Sequence, residues 1–185
     1  MTIKDEDRIL DFVPVGMWWE ITHTAADTGG ERFEAINVLG RTFAGPPLHV
    51  HPNAEESYAV QSGTLEVCVD GEWRQVKAGE SVTAPAGTPH TLRNVSDSEV
   101  RLVNVHKPAL DFERFFRRLH ALVCSGKAKL PPKDFGSLVL ISMLFVEHER
   151  EIMSVKPPHA VMRVFALLGR MLGYKLPELD PANGS

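Results

Sequence analysis

The stretch GESVTAPAGTPHTLRN, residues 79–94, combines a short apolar run, a turn rich in proline and glycine, and a histidine. Short runs bounded by such turn signals are typical of β-strands. Pro85 and Gly87 lie in the turn, and His90 follows it directly. The stretch therefore predicts two strands, with His90 presented where the second one begins.

A second stretch with histidines lies upstream, PPLHVHPNAEESYAVQSG, residues 46–63. His49 and His51 are two residues apart, and side chains at i and i+2 of a strand face the same side. If that side is the interior of a barrel, both imidazoles converge there, and Glu56 could join them from the next strand. Imidazole and carboxylate together suit divalent transition metals. Two surface histidines are the alternative interpretation of this segment taken alone.

The rest of the chain up to residue 108 also consists of short apolar runs separated by frequent turn signals. Asp70-Gly71 between two apolar runs is a strong signal for a two-residue β-hairpin. Many short strands at close spacing indicate an all-β sandwich or barrel. The predicted strands cover residues 17–25, 32–39, 56–63, 64–69, 72–76, 80–85, 89–96 and 99–106.

After Pro108 the apolar residues recur with the period of a helix. Three amphipathic helices are predicted within residues 111–127, 131–152 and 157–176. Asp111 is the expected N-cap of the first and Gly126 its stop, while Pro131-Pro132 is expected to set the start of the second. The predicted organisation is a lead-in (1–14), a barrel (15–108), a helical extension (109–176) and a disordered tail (177–185).

Composition narrows the classes of function. The chain has 185 residues, a net charge of −4 and two cysteines. Phosphate binding needs a concentrated basic face, so we expect no nucleic-acid partner. Two distant cysteines give no disulfide framework, which favours a reducing cytoplasm. The charged N-terminus predicts no signal peptide, and the longest uncharged apolar stretch, residues 135–146, is shorter than the roughly 20 residues of a membrane span.

Taken together, the two histidine stretches resemble the two motifs of the cupin superfamily, over roughly residues 15–107. The second motif, G-x5-P-x-G-x2-H-x3-N, is complete, and the first, H-x-H-x4-E-x6-G, departs only before its first histidine. Phe43 stands there in place of the expected glycine, with Gly45 nearby. The residues that carry the resemblance are Gly79, Pro85, Gly87, His90 and Asn94, and His49, His51, Glu56 and Gly63.

The resemblance implies a jelly-roll β-barrel with one divalent transition metal in its mouth. By the motif positions, the ligands would be His49, His51, Glu56 and His90, while Glu55 would point to solvent. The metal would be Fe, Mn, Ni, Cu or Zn, with Fe expected first. Four protein ligands leave one or two open positions, as catalytic sites do. Cupins are commonly dimers, so a homodimer is also expected, and the helices could pack on the barrel, cover its mouth or form the dimer interface.

The implied activity is a metal-dependent, dioxygenase-like oxidoreductase acting on a small apolar or aromatic molecule. An isomerase or lyase that uses the same metal as a Lewis acid is the nearest alternative. A module that binds a metal or small ligand without turnover is another, and a partner protein whose tail is the functional part is a third.

Strand parity adds inward-facing residues around the predicted ligands. Tyr58 follows Glu56 on one face, and His106 shares a face with Leu102 and Asn104. Tyr58 and His106 are the candidate acid–base residues. The alternatives are that Tyr58 packs in the core and that His106 lies at the surface. Leu92 and Asn94 are further inward candidates by parity, and Met17, Trp18 and Trp19 could line an aromatic pocket, with packing in the barrel wall as the alternative. No role is assigned to the remaining histidines, of which His148 is expected to be a solvated helix end.

Overall fold

The computed structural model describes residues 5–179, which form two facing antiparallel sheets and three helices. One sheet has six strands in the order β1-β2-β3-β10-β5-β8, and the other has five in the order β11-β4-β9-β6-β7. The strands are β1 (Ile9–Phe12), β2 (Met17–His23), β3 (Phe33–Leu39), β4 (His49–Val50), β5 (Glu55–Ser62), β6 (Thr64–Val69), β7 (Glu72–Lys77), β8 (Ser81–Ala84), β9 (His90–Arg93), β10 (Val100–Lys107) and β11 (Met153–Ser154). The predicted all-β barrel followed by three helices is confirmed.

Alternation of side chains explains why these segments form a closed double layer. Along β3 and β10 every second side chain is buried, as a strand with one face on a core requires. The inward side chains make an apolar interior, whose members include Leu39, Val60, Leu65, Val67, Val76, Val82, Val100 and Leu102. The two sheets therefore owe their packing to the period-two pattern that the sequence displays.

The predicted hairpin at Asp70-Gly71 joins β6 and β7. Both turn residues have a positive φ, 53° for Asp70 and 84° for Gly71. This is the backbone of a turn whose twist matches that of the flanking strands, and it explains why Asp-Gly is found there.

Two strands come from segments outside the predicted barrel range. β1 lies in residues 1–14 and pairs with β2 at the edge of the larger sheet. β11 lies within the helical extension and pairs with β4, so that Ser154 stands opposite His49. Segments on both sides of the predicted barrel range thus contribute strands to it.

The helices are α1 (Phe112–Cys124), α2 (Phe135–Glu147) and α3 (His159–Met171). Gly126, with φ 72°, follows α1 as predicted. The Asp111 side chain, however, makes no capping hydrogen bond. The start expected at Pro131-Pro132 is also wrong: α2 begins three residues later, because the Asp134 carboxylate accepts a hydrogen bond from Ser137 N, at 2.8 Å, and caps the first turn.

The helices pack in order onto the barrel and onto each other. α1 places Phe112 and Phe116 against the larger sheet, and α2 is buried between α1 and α3. Gly169 allows α3 to approach α2 closely, whereas the outer side of α3 leaves Val164, Leu167 and Met171 more than half exposed.

Within residues 5–179, no helix is long and apolar enough to cross a bilayer. The last six residues of the predicted tail lie outside the described residues.

Candidate metal centre

The four predicted ligands lie together at one end of the barrel interior. His49 is on β4, His51 directly follows that strand, Glu56 is on β5 and His90 begins β9. One potential ligand atom from each lies within 4.8 Å of those of the other three. All four residues are buried, with relative exposures of 1–6%. Glu55 is exposed, as predicted.

Each histidine is oriented by a hydrogen bond to a backbone carbonyl. The Nδ1 atoms of His49 and His90 lie 2.8 and 2.7 Å from the carbonyl oxygens of Pro47 and Thr88. Nδ1 of His51 lies 2.6 Å from the carbonyl oxygen of Glu151. A carbonyl oxygen can only accept, so Nδ1 carries the proton in all three rings. In the neutral rings, the Nε2 lone pairs are thereby left free for a metal.

The three Nε2 atoms surround one oxygen of Glu56. Oε2 lies 2.9 Å from Nε2 of His51, 2.8 Å from that of His90 and 3.9 Å from that of His49. With Nδ1 protonated in each neutral ring, the carboxylate oxygen and the three Nε2 lone pairs are all acceptors, so a cation among them would stabilise the cluster. Donors about 2.1 Å from one ion are about 3–4 Å apart, which matches these separations. The residues present therefore fit a divalent metal.

The second oxygen of Glu56 is held from β10. Nδ2 of Asn104 donates to Oε1 at 2.8 Å, and Nε2 of His106 lies 3.2 Å from the same oxygen. The ring of His106 is turned so that this contact is not a well-aligned hydrogen bond, and neither of its nitrogens has a hydrogen-bond partner among the described residues. Both residues were predicted to face inward from the parity of β10.

The electrostatics favour neutral imidazoles at His49 and His51 beside an ionised Glu56 carboxylate. Burial lowers the pKa of His49 to about 4, and burial also lowers the pKa of His51. His90 behaves in the opposite way, because its contact with Glu56 outweighs burial and raises its pKa. Burial opposes ionisation of Glu56, but His106 and His51 hold the pKa of its carboxyl well below the ordinary value. Neutral imidazoles and an ionised carboxylate are the forms that bind a metal.

The two candidate acid–base residues occupy different surroundings. Tyr58 is 1% exposed and packs in the apolar interior of the barrel. Burial, together with the neighbouring Glu56 carboxylate, raises the pKa of its phenol well above the ordinary value, so the phenol stays protonated at neutral pH. The surface alternative for His106 is wrong, because its ring is fully buried between Glu56 and Phe112. The ring centroids of His106 and Phe112 are 4.0 Å apart.

Other inward predictions have structural roles. Nδ2 of Asn94 donates to the carbonyl oxygens of Gly40 and Ser98, which ties two loops together away from the cluster. Trp19 packs on Phe116 with ring centroids 4.2 Å apart. The prediction that His148 is a solvated helix end is wrong: it is 2% exposed, because the segment after α2 folds back over it against Phe115.

Two contributions to the centre come from the helical extension and were missed from the sequence. They are the carbonyl of Glu151, which orients His51, and the ring of Phe112, whose centroid lies 5.0 Å from that of His51. No sequence motif indicates either contribution. Any residue type at position 151 would supply the same backbone carbonyl, and Phe112 is one of several apolar residues on the same face of the predicted helix.

Comparison with known proteins supports the same fold and the same segment. Residues 42–106 match the model of the family described as Cupin domain. Over 75 residues the chain is 37% identical to quercetin 2,3-dioxygenase from Bacillus subtilis, covering 40% of this chain and 22% of that protein. Over 55 residues it is 42% identical to polyketide synthase CurC from Streptomyces cyaneus, covering 30% of this chain and 36% of that protein. The matches thus span only about a fifth to a third of these relatives.

Among solved structures, KdgF from Halomonas sp. superposes with a TM-score of 0.50 and 19% identity, covering 61% of this chain and 97% of that one. This similarity concerns the fold alone. With the match to the family model and a barrel that places both histidine stretches at one centre, residues 42–106 of the chain are a cupin domain.

Proposed function

We propose that this protein binds one divalent transition metal through His49, His51, Glu56 and His90, and uses it as a dioxygenase-like enzyme on a small apolar or aromatic molecule. The observation that carries the metal site is the shared orientation of the three imidazoles. Each Nδ1–H is committed to a backbone carbonyl, and each Nε2 is directed at one carboxylate oxygen.

When bound, the metal would supply a Lewis acid and, if it is iron, a redox centre. The surrounding residues orient the ligands and line the site. Asn104 orients the Glu56 carboxylate through Oε1, and His106 packs beside the same oxygen. Tyr58 keeps its proton near neutral pH, so no phenolate is available there to act as a base. The rings of Phe112, Phe116 and Phe33 around His106 give this side of the centre an apolar, aromatic wall.

The dioxygenase assignment is supported by the similarity to quercetin 2,3-dioxygenase over 75 residues and by the aromatic wall. Iron is the first expectation. An isomerase or lyase that uses the same four residues is the alternative that a redox-inactive metal would favour.

A non-catalytic metal-binding module is the second candidate. The observation that favours it is burial: none of the four residues is more than 6% exposed. Structural metal sites are closed in this way, whereas catalytic sites keep a position open to a substrate.

Metal content is the experiment that tests the proposal. Wild-type protein, purified without a chelator or a histidine tag, is compared by plasma mass spectrometry with His49→Ala, His90→Ala and a control, His23→Ala. His23 lies on β2 with 41% of its side chain exposed and belongs to no part of the cluster. We expect about one equivalent of metal in wild type and control, and a loss in both cluster variants.

The identity of the metal then selects the next assay. Iron leads to oxygen-uptake measurements with aromatic and apolar substrates, and zinc or nickel leads to isomerase and lyase screens. Bound metal without turnover in either set would favour the binding module. Absence of metal from wild-type protein, even after reconstitution, would overturn the proposed function.

A further inference from the structure

The segment of residues 150–155, here called the strap, joins α2 to α3 and runs along the strand that carries the histidines. Its two strand residues pair with β4, with Ser154 opposite His49 and Met153 opposite Val50. Val155 N donates to the carbonyl oxygen of Leu48, at 2.9 Å. At the other end, Nδ2 of Asn53 donates to the carbonyl oxygen of Arg150, at 2.9 Å. The strap is thus hydrogen-bonded to the chain on both sides of His49 and His51.

Between these two attachments, the strap contacts a proposed ligand directly. The carbonyl oxygen of Glu151 lies 2.6 Å from Nδ1 of His51. His49 and His90 find their carbonyl partners two residues away in their own loops, at Pro47 and Thr88. His51 alone of the three depends on a residue 100 positions later in the chain.

The strap is itself fixed to the helices. Ile152 is 5% exposed and packs in the core between α1 and α2. The N–H groups of Glu151 and Ile152 both donate to the carbonyl oxygen of His148, at 2.9 Å. The position of the Glu151 carbonyl is therefore set by the helical extension together with the attachments to β4 and Asn53.

We propose that the strap is a positioning element of the metal centre, which fixes the tautomer and direction of the His51 ring and so sets the metal affinity of the barrel. The inference rests on the proposed function for its metal. It assigns the helical extension a role at the site beyond packing. Loss of a hydrogen-bond partner behind a metal-binding histidine typically weakens binding about 10–100-fold.

The test detaches the strap without touching any proposed ligand. The double variant Asn53→Ala, Val155→Pro removes one attachment at each end, since proline has no N–H to donate to Leu48. The matched control, Val155→Ala, keeps that N–H. If the double variant does not fold, Asn53→Ala alone replaces it, because this side chain is exposed.

Two readouts are compared in the full-length protein. The first is the tautomer of His51 in metal-free protein, from long-range ¹H–¹⁵N correlations of the imidazoles. The second is the dissociation constant for Co²⁺, from competition with a chromophoric chelator. We expect wild type and Val155→Ala to show His51 protonated at Nδ1. The detached variant should show mixed tautomers and bind Co²⁺ about tenfold more weakly or worse.

The outcomes separate this inference from the proposed function. Unchanged His51 tautomers and a Co²⁺ affinity within about twofold of wild type would overturn the role of the strap and leave the metal site intact. If wild-type protein binds no Co²⁺, both the proposed metal site and the proposed effect of the strap on metal affinity are overturned. The tautomer comparison would then still decide whether the strap orients His51.

Discussion

Asn104 on β10 donates a hydrogen bond from Nδ2 to Oε1 of Glu56, at 2.8 Å, and both residues are buried. The other oxygen of that carboxylate faces the three imidazoles. Asn104 therefore decides which way Glu56 presents Oε2 to the cluster. It does so from the strand next to the one that carries Glu56, where Asn104 stands opposite Tyr58.

Replacing Asn104 should weaken metal binding without abolishing the fold. In Asn104→Leu, Glu56 loses the donor that fixes its orientation, and we expect the affinity for Zn²⁺ to fall about 10–100-fold. Chelator competition measures it. Asn37→Leu is the matched control, since Asn37 is a buried asparagine on β3 whose Nδ2 has no partner among the described residues. Equal affinities in the two variants would contradict the role of Asn104.

Removing the metal should destabilise the protein, because four buried polar groups lose their common partner. Zn²⁺ at about 100 times its dissociation constant should add about 2.7 kcal/mol to the free energy of unfolding. For a chain of this size, that corresponds to a rise of about 5–10 °C in Tm. Differential scanning calorimetry with and without the ion measures it. In Glu56→Gln the rise should shrink or disappear, and a rise as large as in wild type would place the ion elsewhere.

Gly45 should not tolerate a side chain. Its φ is 81°, and a Cβ there would lie 1.6 Å from the carbonyl oxygen of Leu92 on β9. Gly45→Ala must therefore push the loop away from the strand that begins with His90, and we expect a loss of more than about 3 kcal/mol of stability together with weaker metal binding. Urea unfolding measures the loss of stability.

Gly71→Ala is the control for backbone strain alone. Gly71 has a similar φ, 84°, with nothing within 4 Å of the added Cβ. The cost there should be only about 1–2 kcal/mol. Similar losses at both positions would mean that the contact between Gly45 and Leu92 does not matter.

Acid should destabilise the helical extension through His148. Burial, with Arg118 close by, lowers the pKa of His148 to about 4 in the folded protein, below the value of about 6.5 in an unfolded chain. The unfolded state therefore binds the proton more readily, so stability is lost as the pH falls from about 6.5 towards 4. His148→Leu cannot take up this proton. Urea unfolding of the metal-free proteins should show a shallower loss of stability between pH 7 and pH 5 in the variant than in wild type. Parallel curves would exclude His148 as a contributor.

The sequence was sufficient for the parts of the centre that depend on local spacing and parity. His49, His51, Glu56 and His90 came from two motifs, and Asn104 and His106 from alternation along β10. The burial of His106 was underestimated because it depends on Phe112, which α1 places on it. The start of α2 was misplaced because proline and aspartate both favour helix starts, and only the hydrogen bond to Ser137 N shows that Asp134 prevails.

The contacts between distant segments could not be predicted in this way. β11 has only two residues, too few for a period to be visible, and its partner strand β4 is equally short. The acceptor for His51 is a main-chain atom, which any residue at position 151 would supply. Side-chain patterns carry no information about such pairings.

The pairing of β11 with β4 also bears on how this barrel can be inherited or transplanted. The segment that matches the family model, residues 42–106, contains all four proposed ligands but not the strand that covers β4. A fragment cut after residue 108 would expose the hydrogen-bonding edge of β4, and unpaired edges of this kind promote aggregation. A transplanted barrel would therefore need residues 153–154 as well. Residues 42–106 alone would also lack the Glu151 carbonyl that orients the His51 ring.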